Sequence, residues 1–137
     1  MTKYGNGQKP RLREVTLAAR ALSDTNRVRV LTFLRRGELC LCQIVGMLGL
    51  APSTVSQHMS ILTQAGLVAA RKEGRWMYFR LPRPGSSPCV RDAVRWILKH
   101  LNGEEQLKAD DKRLRQVCRQ PRETLSLCYQ RKGSRHG

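Results

Sequence analysis

The sequence is short of acid, of aromatic rings and of long apolar runs. Only 10 Asp and Glu stand against 26 Lys and Arg in 137 residues, so the formal net charge is +16. So one-sided a balance suits a polyanionic partner, nucleic acid first among them. Arg outnumbers Lys 19 to 7, which strengthens that reading because a guanidinium grips phosphate through a planar two-pronged fork. No apolar stretch reaches the roughly 20 residues of a membrane span, and the opening MTKYGNGQKP lacks the apolar core of a secretory signal. A cytoplasmic location without a membrane partner is the expectation. With 5% aromatics the chain holds one lean core, too small for a two-lobed enzyme and improved by dimerisation.

Disulfide architecture and thiol enzymology are also disfavoured. Five cysteines are an odd number, and without an export signal they are expected to be reduced thiols. There is no C-x-x-C pair, no glycine-rich phosphate loop, and no His or carboxylate set beside Cys40 to act as acid or base. The expectation is a protein that is not an enzyme.

The cations are unevenly spread. Residues 1–36 carry net +7, residues 71–83 net +4 and residues 84–137 net +6, while residues 37–70 hold Glu38 and no Lys or Arg. That central stretch must be packed, or must touch a surface through neutral polar groups. Residues 1–10 read as a flexible basic tail. Apolar positions Leu12, Val15, Ala19 and Leu22 recur at helical spacing, and Val28, Val30, Leu31 and Leu34 form a second set after Ser23-Asp24. The second helix is expected to run to Gly37, with Arg35 and Arg36 in its last turn. Leu41, Ile44, Val45 and Leu48 mark a short third helix stopped by Gly49.

A fourth helix starts near Pro52 and stops at Gly66, with Val55, Met59, Leu62 and Ala65 as its buried stripe. Its other face carries Ser53, Thr54, Ser56, Gln57 and His58, small uncharged groups suited to reading base edges in a DNA groove. A merely solvated helix face usually shows Lys and Glu instead. LVAARKEGRWMYFRL then reads as two strands, about 67–72 and 75–81, turning through Glu73-Gly74. Arg71, Lys72 and Arg75 lie at the tip, positioned to grip phosphates, while Trp76, Met77, Tyr78 and Phe79 are expected to pack on the body. A stripe of Val90, Ala93, Val94, Ile97, Leu98 and Leu101 follows a Pro/Gly/Ser linker and is broad enough to meet a second copy of itself. The expected fold is mainly α with a small β-hairpin wing: a winged helix-turn-helix domain over residues 11–103. Residues 104–137 read as a C-terminal helix and a flexible basic tail.

This order of elements, with GELCLCQIVGML, PSTVSQHMSILTQAGLV and the hairpin RKEGRWMYFRL, resembles the ArsR/SmtB family of winged helix-turn-helix metalloregulatory repressors over about residues 12–102. ALSDTNRVRVLTFL looks like the family's second helix. The resemblance implies a homodimer built on the first helix and on the helix near 90–101, binding palindromic double-stranded operator DNA and released by a ligand. ELCLCQIV further resembles the ELCVCDL segment of the arsenic-sensing members, whose cysteines bind trivalent arsenic or antimony. Cys40 and Cys42 match its first two cysteines; Val45 stands where some members have a third, and Gln43 where Asp is found. That leaves a two-thiolate site, or a third ligand from Cys118, Cys128 or Cys89. A carboxylate–histidine site on the dimer helix is not expected, because Asp92, His100 and Glu104 are accompanied by Val94 where a histidine would be needed.

Thiolates suit As(III) and Sb(III) because soft centres take soft ligands. On a regular helix, however, residues i and i+2 point about 200° apart, and on a strand they stand about 7 Å apart. Chelation therefore requires Cys40-Leu41-Cys42 to be non-helical. If the third helix begins at or before Cys40, ligation should unwind its first turn and re-aim the reading helix at 53–65. The alternatives are a redox sensor, a sensor of Cd, Pb or Zn on the same fold, and a nonspecific basic nucleic-acid binder. A disulfide between residues so close in sequence is strained, which favours the metalloid.

Overall fold

The computed structural model describes residues 11–83 and 85–125. Of the expected tails, residues 1–10 and 126–137, with Cys128, lie outside the described residues, whereas 119–125, expected to be flexible, are described and place Leu125 in the core. The elements are α1 (Arg11–Ala21), α2 (Thr25–Leu34), β1 (Leu39–Cys40), α3 (Leu41–Leu48), α4 (Pro52–Gln64), β2 (Ala69–Glu73), β3 (Trp76–Arg80), α5 (Pro88–Leu101) and α6 (Glu105–Arg119). One antiparallel sheet in the order β1-β3-β2 joins the wing to the helical body. This is the expected winged helix-turn-helix arrangement, with α3 and α4 as the helix-turn-helix pair.

Local chemistry places the boundaries. The Asp24 carboxylate accepts from the amides of Asn26 (2.8 Å) and Arg27 (3.2 Å), satisfying two donors that the first turn of α2 cannot pair internally. Partial burial pushes the Asp24 carboxyl up, but these two amides, together with the electrostatic influence of nearby His58 and Arg27, hold it below its ordinary value. α2 stops at Leu34, three residues short of Gly37. Arg35 caps it, donating from its guanidinium to the Thr32 carbonyl (2.6 Å). Gly49 ends α3 at φ 67°, a left-handed conformation that a side chain disfavours.

The core centres on Val30, Leu31, Phe33, Ile44, Val55, Met59, Leu62 and Leu67. All four expected stripe positions of α4 are buried. α1 differs from its sequence reading. Its buried face is Glu14, Ala18 and Ala21, while Leu12 and Val15 are 66% and 51% exposed. The helix is apolar on two sides, and periodicity picks out the side that the single chain leaves open. Glu14 is kept inside by a hydrogen bond from Ser87, the N-cap of α5.

The hairpin is displaced by a residue or two from its expected position. Glu73 pairs with Trp76, so Gly74 and Arg75 form the turn, with Gly74 at φ 60°. β1 has no counterpart in the sequence reading, since two residues carry no readable period. The largest departure is α6, which the sequence suggests only as an appended helix. Leu114 and Val117 enter the common core together with Leu125 beyond the helix, so the folded body extends past residue 103. Asp110, 4% exposed, takes a two-pronged bond from Arg29 (2.9 and 3.0 Å), and Asp111 pairs with Arg35, locking α6 to α2.

Candidate functional site

The thiol pair sits where sheet becomes helix. Cys40 ends β1 opposite Tyr78 and is also the N-cap of α3, with extended backbone (φ −76°, ψ 151°), while Cys42 lies in the helix's first turn. The Gln43 side chain accepts the Cys40 amide at 2.8 Å, which fixes the cap. Because Cys40 is not helical, the 200° separation of a regular helix does not apply. The two Sγ atoms lie 3.2 Å apart, both side chains buried, and the Cys42 thiol donates to the Cys40 sulfur. Unwinding is expected only for a helix beginning at or before Cys40; α3 begins at Leu41, and with Cys40 extended the start of the helix already brings the thiols together.

The electrostatics split the pair. The hydrogen bond from Cys42 pulls the Cys40 thiol below its ordinary value, against the opposing effect of burial, with help from backbone amides and the Arg122 charge. Donating that hydrogen bond, together with burial, pushes Cys42 up. Cys40 is thus the sulfur that ionises first. Proximity in sequence makes Glu38 a candidate to oppose this. Instead Arg71 grips both its oxygens (2.6 and 2.8 Å) and holds its carboxyl below the ordinary range.

Two further cysteines fall among the described residues, Cys118 and Cys89. Cys118 lines a cavity of about 210 Å³ with Glu38 and Leu39, and Leu39 points to the opposite face of β1 from Cys40. Burial raises the Cys118 thiol. Cys89 is in the first turn of α5, half-buried. Among the described residues no three His, Cys, Asp or Glu side chains are grouped as a metal site.

The second candidate surface is the outer face of α4. Ser53, Thr54, Ser56 and Gln57 are exposed in a row, and Ala51 at the N-cap supplies no side-chain acceptor, which leaves the first-turn amides open to an outside anion. His58 is half-buried, its Nδ1 3.0 Å from Arg27. On the wing Lys72 and Arg75 are exposed, the latter stacked over Trp76 at 4.8 Å. Arg71 is occupied elsewhere: besides Glu38 it bonds Glu73 (2.9 Å) and lies 4.4 Å over the Tyr78 ring. Tyr78 and Phe79 are buried and Trp76 and Met77 half-buried, so the wing aromatics pack on the body as expected.

A family profile described as bacterial regulatory protein, arsR family, matches residues 24–70. The chain is 30% identical over 113 residues to the arsenic resistance transcriptional regulator ArsR1 of Pseudomonas putida, covering 78% of this chain and 82% of that one. The protein belongs to the ArsR family. It is also 35% identical, over 50% of its length and 57% of the other's, to a cadmium resistance regulatory protein CadC homologue of Staphylococcus aureus. Among solved structures, a homodimeric winged helix-turn-helix DNA-binding domain from Mycobacterium bovis superposes with a TM-score of 0.56 at 28% identity, over 76% of this chain and 94% of that one. This ArsR-family chain is thus a transcriptional regulator of the winged helix-turn-helix class. None of its described helices is long and apolar enough to cross a membrane. Sequence reasoning missed Tyr78 and Arg122 as neighbours of the thiols, because neither is near Cys40 in the chain.

Proposed function

We propose that this regulator represses an arsenic-resistance operon and leaves its operator when As(III), or Sb(III), is chelated by Cys40 and Cys42. The observation that carries the reading is the 3.2 Å separation of two buried sulfurs. With metal–sulfur bonds of about 2.3 Å, a pyramidal centre bearing a lone pair spans about 3.3–3.5 Å between sulfurs and a tetrahedral one about 3.8 Å. The pair fits the pyramidal case with little movement. It also straddles the joint between β1, paired to the wing strand β3, and α3, the first helix of the helix-turn-helix. Bridging the two sulfurs fixes the angle at that joint and so the position of α4 relative to the wing.

Ser53, Thr54, Ser56, Gln57 and His58 read bases in this proposal, and Lys72 and Arg75 hold phosphates, with Arg71 bracing the wing. The DNA is double-stranded and the protein a homodimer. Exposed Leu12 and Val15 on α1 and Trp96 on α5, 58% exposed, support a second copy on that side. A third sulfur, from Cys89, Cys118 or Cys128 of the same chain or its partner, would complete a three-thiolate site. The similarity to a cadmium regulator keeps a soft divalent metal as the second reading.

Fluorescence anisotropy of the reduced protein on its upstream DNA, titrated with arsenite and with zinc or cadmium as comparison ions, tests this. Release by arsenite that Cys40→Ser and Cys42→Ser both abolish is the expected result. Release by cadmium alone would transfer the site to the second reading, and arsenite-insensitive binding would remove the sensor.

A further inference from the structure

Past the end of α6 the chain makes one more turn, closed by the amides of Thr124 and Leu125 on the Pro121 carbonyl (3.1 and 3.2 Å). Its two side chains of interest reach different elements. Leu125 is buried over Gly46 of α3, its Cδ2 3.7 Å from where a β-carbon would stand. Gly46 is four residues beyond Cys42, on the same helix face one turn along. Arg122 lies over two rings of the wing strand, 5.5 Å from the Trp76 centroid and 5.6 Å from that of Tyr78. Tyr78 is directly opposite Cys40 in the β1–β3 pairing, and residues opposite each other on adjacent strands share a face of the sheet. Arg122 is therefore on the cysteine side of the sheet, and its charge is felt at Cys40.

We propose that residues 121–125 are a strap across the Cys40–Cys42 pair, anchored by Leu125 on α3 and by Arg122 on the wing aromatics, which a metalloid entering the site displaces from Trp76. The proposal rests on the pair being the inducer site. Both sulfurs are nearly inaccessible, 1% and 5% exposed as residues, so an inducer must move something to reach them. α3 and the sheet are held by the core and by backbone ladders. Among the described residues the strap is held by Leu125 and by stacking of the exposed Arg122, and it is the element that moves at least cost. Because one anchor is on α3 and the other on the wing strand, its release also uncouples the two elements between which α4 lies.

The test uses the full-length reduced protein, first without arsenite. Alkylation of each cysteine by iodoacetamide is followed by peptide mass spectrometry in wild type, Arg122→Gln, Arg122→Lys and Leu125→Ala. About ten-fold faster modification of Cys40 and Cys42 in Arg122→Gln and Leu125→Ala, with Cys118 unchanged and Arg122→Lys close to wild type, is expected. Leu125→Ala leaves the Arg122 charge in place, so a faster rate in that variant reports uncovering. Rates within two-fold of wild type in both Arg122→Gln and Leu125→Ala would overturn the strap, whatever arsenite does.

The second arm adds arsenite to a Trp96→Phe background, which leaves Trp76 as the one tryptophan. Arsenite should shift Trp76 emission in that background and leave Arg122→Gln, already shifted, where it is. Arsenite bound at the pair with Trp76 emission unmoved would overturn the displacement. If arsenite fails to bind at all, the inducer reading falls and the displacement with it, while the alkylation arm still decides whether the strap covers the thiols.

Discussion

The Arg27 guanidinium donates to Nδ1 of His58 at 3.0 Å, joining α2 to α4 across 31 positions of sequence. A guanidinium has no acceptor, so Nδ1 accepts and the ring proton is on Nε2. Arg27 is 9% exposed and is otherwise bonded to the carbonyls of Ala21 (2.8 Å) and Arg20 (3.1 Å), with no carboxylate among these partners. His58 thus serves two ends, presenting an N–H donor on α4 and satisfying a buried cation beneath it.

His58→Ala leaves one arm of that cation unpaired and should lower the free energy of unfolding by about 1–3 kcal/mol. His58→Asn, whose side-chain oxygen stands near the position of Nδ1, should recover most of it. Urea denaturation of the three proteins decides; equal midpoints would mean that the hydrogen bond contributes nothing.

Asp24→Ala removes the cap of α2 and should cost about 1 kcal/mol at neutral pH. The sign of its pH dependence follows from the lowered carboxyl of Asp24 in the folded state. Stabilisation by a depressed carboxyl is full above its unfolded value of about 3.9 and is lost as pH falls through the folded one. The stability gap between wild type and Asp24→Ala should therefore be constant from pH 7 to about 5 and close below about pH 4. A gap that persists in acid would assign the effect to something other than the carboxylate.

The three wing cations should behave differently in DNA binding. Lys72→Ala and Arg75→Ala are each expected to reduce the slope of log affinity against log salt by about 0.9 for each phosphate the side chain neutralises. Arg71, clasped between Glu38 and Glu73, should leave the slope nearly unchanged on substitution by alanine. A drop of the same size for Arg71→Ala would show that the guanidinium leaves its carboxylates for the phosphate backbone.

Asp110→Ala isolates the attachment of α6. It strips the two-pronged partner from Arg29 and should destabilise by about 2–4 kcal/mol, less than for a fully enclosed pair because Arg29 keeps some water. Arg29→Met combined with Asp110→Leu should regain much of that loss. Unfolding monitored by circular dichroism would show it, and additive losses in the double variant would contradict the coupling.

What is legible in the sequence is whatever repeats or punctuates. The α4 stripe, the glycine stops at 49 and 66, and the basic hairpin are all of this kind. What escapes depends on contacts between distant segments. β1 exists only because Phe79 and Tyr78 offer it a ladder, and α6 joins the core through Leu114 and Val117 although its composition is mostly charged. Cys40 and Cys42 are legible as a pair, but their geometry is not. Spacing alone offers a helix or a strand, and the structure puts the boundary between the two at that point. At Arg71 a linear reading cannot show the grip on Glu38, 33 residues away.

Cys40 occupies the position before α3 that serine, threonine, aspartate or asparagine commonly fill. Cysteine and serine codons differ by one base, and serine caps a helix well. On the proposed function, such a point mutation silences sensing while leaving folding and operator binding whole. Its product keeps the target genes shut permanently and also enters mixed dimers with the normal protein, so the allele is expected to be dominant. If Cys40 senses as proposed, its place at a helix cap makes heritable loss of inducibility a single-base event that folding does not select against.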